Sequence, residues 1–258
     1  MVVLDAKNVT KTFDGAIALD SVSLSVAEGE AVAIIGPSGS GKSTLLRCFA
    51  QLVSIDSGEI TICSKPMVTS PSGKAVYSPK DQLHEIQLMT GMVFQSFNLF
   101  SHFSVLENIT NAQIHVLKRS KAEAEHIAIS LLDKVSLADK ANAYPFQLSG
   151  GQAQRVSIAR ALALSPKVLF FDEPTSALDP ELSGEILRVI KDLAQESRTM
   201  IVVTHEMAFA REISDRIVFM EEGRAAIEGT PAQIFENTSS PRLRRFLEGM
   251  DFSSNDKS

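Results

Sequence analysis

Residues Gly36–Ser43 read Gly-Pro-Ser-Gly-Ser-Gly-Lys-Ser, and this segment is the strongest indication of the fold. It matches the phosphate-loop pattern, in which a glycine-rich turn ends in Gly-Lys followed by Ser or Thr. The apolar run Ala31–Ile35 before it is typical of a buried strand, and Lys42–Leu52 after it has the apolar spacing of a helix. A strand, a glycine loop and a helix in this order predict a site whose backbone N–H groups surround the phosphates of a nucleotide.

Each residue of this loop therefore has an expected part in binding ATP. Lys42 is expected to reach the β- and γ-phosphates, and Ser43 to offer its hydroxyl to Mg²⁺. We expect ATP and Mg²⁺ as the ligands of the site. The predicted nucleotide-binding residues of this segment are Gly36, Pro37, Ser38, Gly39, Ser40, Gly41, Lys42, Ser43 and Thr44.

Bulk composition excludes several classes of protein. The chain has 258 residues, 44% of them hydrophobic, and a formal charge of −6, which disfavours a nucleic-acid partner. Its two cysteines, Cys48 and Cys63, lack the spacing of a metal site and are expected to be buried thiols. The first residues lack the features of a signal peptide, and no apolar run is long enough to cross a bilayer.

The pattern of elements predicts an α/β fold with a P-loop NTPase (RecA-like) core. Short strands at the beginning predict an N-terminal antiparallel β subdomain, and strands that alternate with helices later predict a parallel sheet. A mostly helical stretch, about residues 97–164, predicts an inserted helical subdomain. Residues 1–250 are expected to form one domain, the polar stretch Ser64–Asp81 a loop or extended hairpin, and residues 251–258 a disordered tail.

A second part of the site is predicted at Asp172 and Glu173. They follow the apolar run Val168–Phe171, and ligands of open α/β sheets bind at the carboxyl ends of the strands. Asp172 suits a partner of Mg²⁺, through a water. Glu173 suits the general base that acts on the attacking water.

The segment Leu148–Gln152, Leu-Ser-Gly-Gly-Gln, resembles the signature motif of ATP-binding-cassette (ABC) transporters. A serine cap alone would not explain two glycines that weaken a helix, by about 1 kcal/mol each. The resemblance implies a second phosphate site in a head-to-tail homodimer, in which this loop closes on the partner's nucleotide. It assigns nucleotide contacts to Ser149, Gly150, Gly151 and Gln152.

Further positions follow from the same resemblance. Gln95 resembles the glutamine that senses Mg²⁺ and the γ-phosphate, and His205 the histidine that contacts the γ-phosphate and holds the attacking water. Asp179 lies in a segment that resembles the loop between the two sites of the dimer, and Phe13 matches the aromatic residue that stacks on adenine. The expected catalytic residues are thus Glu173, His205, Gln95 and Lys42, and the expected metal-binding residues are Ser43, Gln95 and Asp172.

Nearly the whole chain resembles one group, the ATPases of polar amino-acid uptake systems. The segments that carry this resemblance are Ile35–Cys48, Gly91–Ile109, Tyr144–Ala161, Phe171–Glu181 and Thr204–Arg211. Departures occur at Gln51–Ser57, at Ala153 and in the long polar stretch Ser64–Asp81. The resemblance implies integral-membrane permease subunits, a periplasmic or lipid-anchored binding protein, and a place at the cytoplasmic face of the cell membrane.

Two questions stay open at this stage. The large apolar residues of Ser96–Phe100, with Phe103 and Val105, predict either a surface that grips a permease helix or a loop folded into the core. An exporter, or an importer of another small solute, would share the same catalytic residues. ABC ATPases of DNA repair carry a long coiled coil between the two motifs, and this chain shows no sustained heptads there.

Overall fold

The computed structural model describes residues 1–251, apart from the side chains of Pro180, Met250 and Asp251. The predicted disordered tail thus lies almost wholly outside the described residues. The strands are β1 (Val2–Phe13), β2 (Ala16–Ala27), β3 (Ala31–Ile35), β4 (Ser57–Ile62), β5 (Lys65–Thr69), β6 (Val76–Tyr77), β7 (Thr90–Val93), β8 (Val168–Asp172), β9 (Met200–Val203), β10 (Arg216–Glu221) and β11 (Arg224–Gly229). The α-helices are α1 (Lys42–Phe49), α2 (Lys80–Leu88), α3 (Val105–His115), α4 (Lys121–Lys134), α5 (Gly150–Ala163), α6 (Pro180–Gln195), α7 (Met207–Ile213), α8 (Pro231–Phe235) and α9 (Pro241–Asp251).

The central sheet has six strands in the order β11-β10-β3-β9-β8-β7. All neighbours in it run parallel except β10 and β11. Strands β3, β8 and β9 are buried at every residue, which explains their unbroken apolar sequences. Their carboxyl ends therefore meet at one edge of the sheet, where the site is built.

The second sheet is antiparallel, in the order β2-β1-β4-β5-β6. The predicted α/β class with an antiparallel β portion at the N-terminal end is confirmed. Within Ser64–Asp81, β5 and β6 pair as an extended hairpin. The sequence reasoning missed α2, which begins at Lys80, because Ile86 is its single buried residue and leaves no amphipathic pattern.

Helices α3, α4 and α5 fill the chain between β7 and β8 and enclose an apolar cluster of their own. Val105, considered as part of an apolar loop, is instead the first residue of α3 and fully buried, because Ser104 caps the helix in front of it. Leu99 also packs on this cluster. The core interpretation is therefore correct for these two residues, whereas Phe100 is exposed.

Two smaller expectations also differ from the structure. Helix α1 ends at Phe49 rather than at Leu52, and Cys63 is half-buried whereas Cys48 is buried. Among residues 1–251, none of the helices combines the length and the apolar character needed to cross a membrane.

Candidate functional site

The phosphate loop has a backbone shape that glycine alone allows. Gly36 and Gly41 have φ of 146° and 96°. A side-chain carbon at Gly36 would lie 2.1 Å from the Met220 carbonyl oxygen, and one at Gly41 would lie 2.4 Å from that of Ala18. The loop therefore packs directly against the backbone of its neighbours, which fixes its path in front of β3.

Helix α1 presents an open N-terminus to this loop. Gly41 occupies the N-cap position, and α1, which is described in full, has neither a side-chain capping bond nor an acidic residue in its first turn. Its first N–H groups and the positive end of its dipole are thus available to an anion.

Lys42 is held inside the loop. Its Nζ donates hydrogen bonds to the carbonyl oxygens of Gly36 at 2.9 Å and Pro37 at 2.8 Å. Burial lowers the pKa of Lys42, while the carboxylates of Glu173 and Asp172 act in the opposite direction. An ammonium group has three donors, so these two bonds leave one for a phosphate oxygen.

Asp172 ends β8 and is 1% exposed. Arg47 of α1 binds its Oδ2, with Nε at 3.1 Å and Nη2 at 3.0 Å. The other oxygen, Oδ1, is buried and has no hydrogen-bond partner in the described part of the chain. A buried carboxylate oxygen without a donor is costly, so its environment suits a cation or a water bound to one.

The unpaired Oδ1 of Asp172 bears on whether the residues of the site could bind Mg²⁺. Among residues 1–251, no group of three or more His, Cys, Asp or Glu side chains could hold a metal. Mg²⁺ commonly takes only one or two protein ligands together with water and substrate phosphates. Asp172, with Ser43 beside the phosphate cavity, fits that mode of binding.

Glu173 and His205 form a direct pair at the same edge of the sheet. Oε1 of Glu173 lies 2.9 Å from Nε2 of His205, which follows β9. The backbone of Glu173 has φ of 48°, and its N–H donates to the carbonyl of Val203 at 3.0 Å. The hydrogen bond from His205 lowers the pKa of Glu173, against the effect of burial, so the carboxylate is ionised at neutral pH.

The phosphate loop, the start of α1 and Glu173 line a cavity of about 210 Å³. Its lining residues are Ala18, Ser38, Gly39, Gly41, Lys42, Ser43, Thr44 and Glu173. A larger cavity of about 550 Å³ lies beside α3 and α4, but neither the phosphate loop nor the two carboxylates line it. The smaller cavity is therefore the one with the chemistry to bind a nucleotide.

Gln95 and Phe13 lie at the margins of this site. Gln95 is exposed and follows β7, whose last residue, Val93, pairs with Phe171 of β8. This register places Gln95 at the same sheet edge as Asp172. Phe13 ends β1 with its ring 46% exposed, and the Lys11 ammonium lies 5.1 Å from the ring centroid.

The Ser149–Gln152 segment opens α5 as a capping box. The Gln152 N–H donates to Ser149 Oγ at 3.2 Å, and the Ser149 N–H donates to Gln152 Oε1 at 3.0 Å. Among the described residues, none of this segment lines the phosphate cavity of its own chain.

One glycine of this segment, Gly150, also has a packing reason that the sequence did not show. A side-chain carbon at Gly150 would lie 2.8 Å from Leu178 Cδ2, whereas one at Gly151 would lie 3.4 Å from Leu182 Cβ, close to an ordinary contact distance. Attributing Gly150 to an anion site alone was therefore incomplete. The same loop brings Asp179 to the N-cap of α6, where its side chain is exposed and makes no capping bond.

Sequence reasoning missed two residues that contact the site. Arg47 lies one turn beyond Ser43 on the same face of α1, a spacing that could have pointed to the pair with Asp172. Gln154, which is fully buried, donates from Nε2 to the carbonyl oxygens of Phe94 at 3.0 Å and Pro174 at 2.8 Å. Its only signal is a polar residue on the face of α5 that carries Ile158.

Comparison with known proteins agrees with this geometry. A model of the ABC transporter family matches residues 19–176. The histidine/lysine/arginine/ornithine transport ATP-binding protein HisP of Escherichia coli is 51% identical, over 90% of this chain and 91% of its own. The glutamine transport ATP-binding protein GlnQ of Bacillus subtilis is 49% identical, over 93% and 96%.

Solved structures give the same result. The dimeric, post-hydrolysis state of the ATP-binding cassette MJ0796, bound to ADP and Pi, superposes with a TM-score of 0.77 at 37% identity. The match covers 88% of this chain and 98% of that one. The likeness extends over the phosphate loop, the Asp172–Glu173 edge and the Ser149–Gln152 segment, so this chain belongs to the ATP-binding subunits of the ABC transporter family.

Proposed function

We propose that the chain hydrolyses ATP, with Mg²⁺, in a head-to-tail homodimer and so drives the uptake of polar amino acids through a separate permease. The observation that carries the catalytic part is the 2.9 Å pair that His205 makes with Glu173, which lines the phosphate cavity. The names of HisP and GlnQ, at about half identity over nearly the whole chain, support the amino-acid part. Residues 1–250 would act as one ATPase domain. Within it, the subdomain of residues 97–164 would carry the Ser149–Gln152 segment that faces the second copy of the chain.

Each side chain has a defined part in this hydrolysis. The α1 N-terminus and Lys42 bind the phosphates, and His205 and Glu173 orient the water. Because the pKa of Glu173 is low, it is a weak base, so its contribution is mainly to position the water and to accept its proton late. This suffices for phosphoryl transfer, whose loose transition state needs positioning and charge stabilisation more than a strong base.

Ser43, Asp172 and Gln95 would hold Mg²⁺ beside the phosphates. When bound, the ion would neutralise part of the negative charge that develops on the phosphates during the reaction. Arg47 keeps one oxygen of Asp172 occupied and leaves Oδ1 for the ion or its water.

The second phosphate site calls for a second copy of the chain. Ser149–Gln152 opens α5 with two glycines, yet it does not line the phosphate cavity of its own chain. In a head-to-tail pair this segment closes on the partner's nucleotide, with Asp179 between the two sites. Phe13 would stack on adenine with the ring face that Lys11 leaves open.

An apolar groove at the edge of the central sheet suits a permease segment. It has a volume of about 350 Å³ and is lined by Ala50, Leu52, His84, Gln87, Leu88, Thr90, Met92, Phe94, Val116 and Leu164. Leu52 and Val116 are exposed, and Phe94 directly precedes Gln95. A short apolar helix of the permease would thus contact the segment that senses the nucleotide. The subunit would sit at the cytoplasmic face of the cell membrane, with a periplasmic or lipid-anchored binding protein on the other side.

Uptake of labelled arginine, histidine, glutamine and glutamate tests this function. Cells that lack the chain should lose uptake of at least one of them, and the wild-type chain should restore it. Glu173→Gln should bind ATP, trap a dimer and restore nothing, with turnover lowered about 100-fold or more. Near-normal turnover in Glu173→Gln would refute the assigned base, and unchanged uptake of all four would favour an exporter or another solute.

A further inference from the structure

A buried side-chain amide joins the two segments that carry Gln95 and Glu173. Gln154 lies in α5 and is fully buried. Its Nε2 donates to the carbonyl oxygen of Phe94 at 3.0 Å and to that of Pro174 at 2.8 Å. Phe94 directly precedes Gln95, and Pro174 directly follows Glu173. One amide group thus connects α5 with the segment of Gln95 and with the segment of Glu173.

Both acceptors lie in loops rather than in the sheet. Phe94 has just left β7 and Pro174 has just left β8, so their carbonyl groups lie beyond the hydrogen-bond ladder between these strands. Buried carbonyl groups of this kind need a donor from elsewhere, and the two N–H groups of Gln154 supply it. Removing that donor would leave both loops without their link to the helix.

The unused half of the same amide makes its placement specific. Gln154 Oε1 is buried and has no hydrogen-bond partner among the described residues. An apolar residue at this position would avoid that cost, and Ile158, one turn further along α5, is apolar. The unpaired Oε1 therefore lowers stability, whereas Nε2 supplies the two hydrogen bonds to the loops.

Helix α5 holds the segment after Gln95 at a second point. Arg160 donates from Nη1 to the carbonyl oxygen of Asn98 at 2.7 Å and from Nη2 to that of Phe97 at 3.3 Å. Gln95 therefore lies between two anchors on one helix, and the N-terminus of that helix is the segment expected to meet the partner's nucleotide.

We propose that Gln154 is a positioning residue that makes Gln95, Glu173 and α5 move as one unit. This inference rests on the proposed function, which gives Gln95 and Glu173 their roles. When the partner's nucleotide binds at the N-terminus of α5, the two hydrogen bonds of Gln154 would then fix the positions of Gln95 and Glu173 together.

A graded series of substitutions tests it. Gln154→Met keeps the length and removes both donors. Gln154→Glu is expected to be neutral in this buried place and to donate one bond of the two. Ser157→Ala is the matched control, because Ser157 lies on the same helix, is fully buried, and its Oγ has no partner to lose. The measurements are kcat and KM for ATP, thermal unfolding, and hydrogen exchange of the amides of Gln95, Ser96, Glu173 and Thr175.

We expect kcat to fall about tenfold or more in Gln154→Met and less in Gln154→Glu, with KM changed less than about twofold. Exchange at the four amides should quicken in the same order. A merely structural role would lower the unfolding temperature without this ordering of kcat at constant KM. The Ser157→Ala control should keep wild-type kcat and exchange.

A folded Gln154→Met with the kcat and exchange of the control would overturn the inference. Should Gln154→Met fail to fold, Gln154→Glu decides alone, and wild-type values there would also overturn it. Loss of turnover in Glu173→Gln beside normal turnover in Gln154→Met would refute this inference and leave the proposed function intact. Normal turnover in Glu173→Gln would instead refute the proposed function.

Discussion

Glu173 combines a left-handed backbone conformation with a side-chain carboxylate that pairs with His205. Its left-handed φ of 48° is a conformation that costs about 1–3 kcal/mol for a residue other than glycine, and such strain is concentrated at functional sites. The bond from the end of β9 and the pair with His205 hold it there. These two contacts thus hold Glu173 in a backbone conformation that it would not prefer by itself, and they fix the position of its carboxylate.

The lowered pKa of Glu173 predicts a pH-dependent stability. Because its folded pKa lies below its unfolded value, about 4.3, the ionised carboxylate stabilises the fold above that value, and this contribution is lost as pH falls through the folded pKa. Urea unfolding of wild type and Glu173→Gln should show a constant difference in the free energy of unfolding from pH 8 to about 5, and a decrease below about 4.3. A difference that stays constant to lower pH would contradict the assignment.

At this scale, sequence predicted the residues that a strand or a motif places. Asp172 and Glu173 follow a fully apolar run, so the sheet edge puts them in the site. Arg47 and Gln154 could not be found in that way, because their contacts depend on how α1 and α5 cross the ends of β7 and β8. Those crossings are set by packing, which no single segment encodes.

Among the elements, the apolar groove beside α2 and β7 gives a direct prediction. The double variant Leu52→Ser, Val116→Ser removes exposed apolar groups from its rim and should lower amino-acid uptake several-fold, since the permease would lose apolar contact there. ATP binding by the isolated subunit should stay unchanged. The double variant Val76→Ser, Ile129→Ser is the matched control, because these two residues are about as exposed but do not line the groove. Equal loss of uptake in both double variants would contradict a permease contact at the groove.

Element boundaries show where sequence patterns carry information. The serine cap considered at Ser149 is present at the start of α5, where its side chain accepts from the N–H of Gln152. The polar composition around Ser64–Asp81 concealed α2, which contributes one buried residue to the core. Helices that bury a full face were predictable, and a helix that only covers an edge was not.

At the scale of the whole molecule, the fold separates two surfaces that would act together in the proposed dimer. The phosphate cavity opens at the edge of the central sheet, while the Ser149–Gln152 segment belongs to the helices inserted between β7 and β8. The sequence indicated both through motifs, and the ABC family accounts for their coexistence. The contacts between α5 and the rest of the molecule were not predictable from the sequence. One of them is the ion pair of Arg155 in α5 with Glu185 in α6, at 3.1 Å.

The contact of Gly150 with Leu178 has a genetic consequence. A valine at Gly150 would press on the end of the Leu178 side chain, and Leu178 lies in the loop just after the chain's own Glu173. In a mixed dimer of the proposed head-to-tail kind, one Gly150→Val chain would therefore impair the partner's nucleotide site through its altered Ser149–Gln152 segment, and its own site through the pressure on that loop. Lys42→Ala would impair only its own. In cells that make both forms, we expect the Gly150→Val allele to be the more dominant, and single-turnover hydrolysis by purified mixed dimers to show one intact site with Lys42→Ala and none with Gly150→Val.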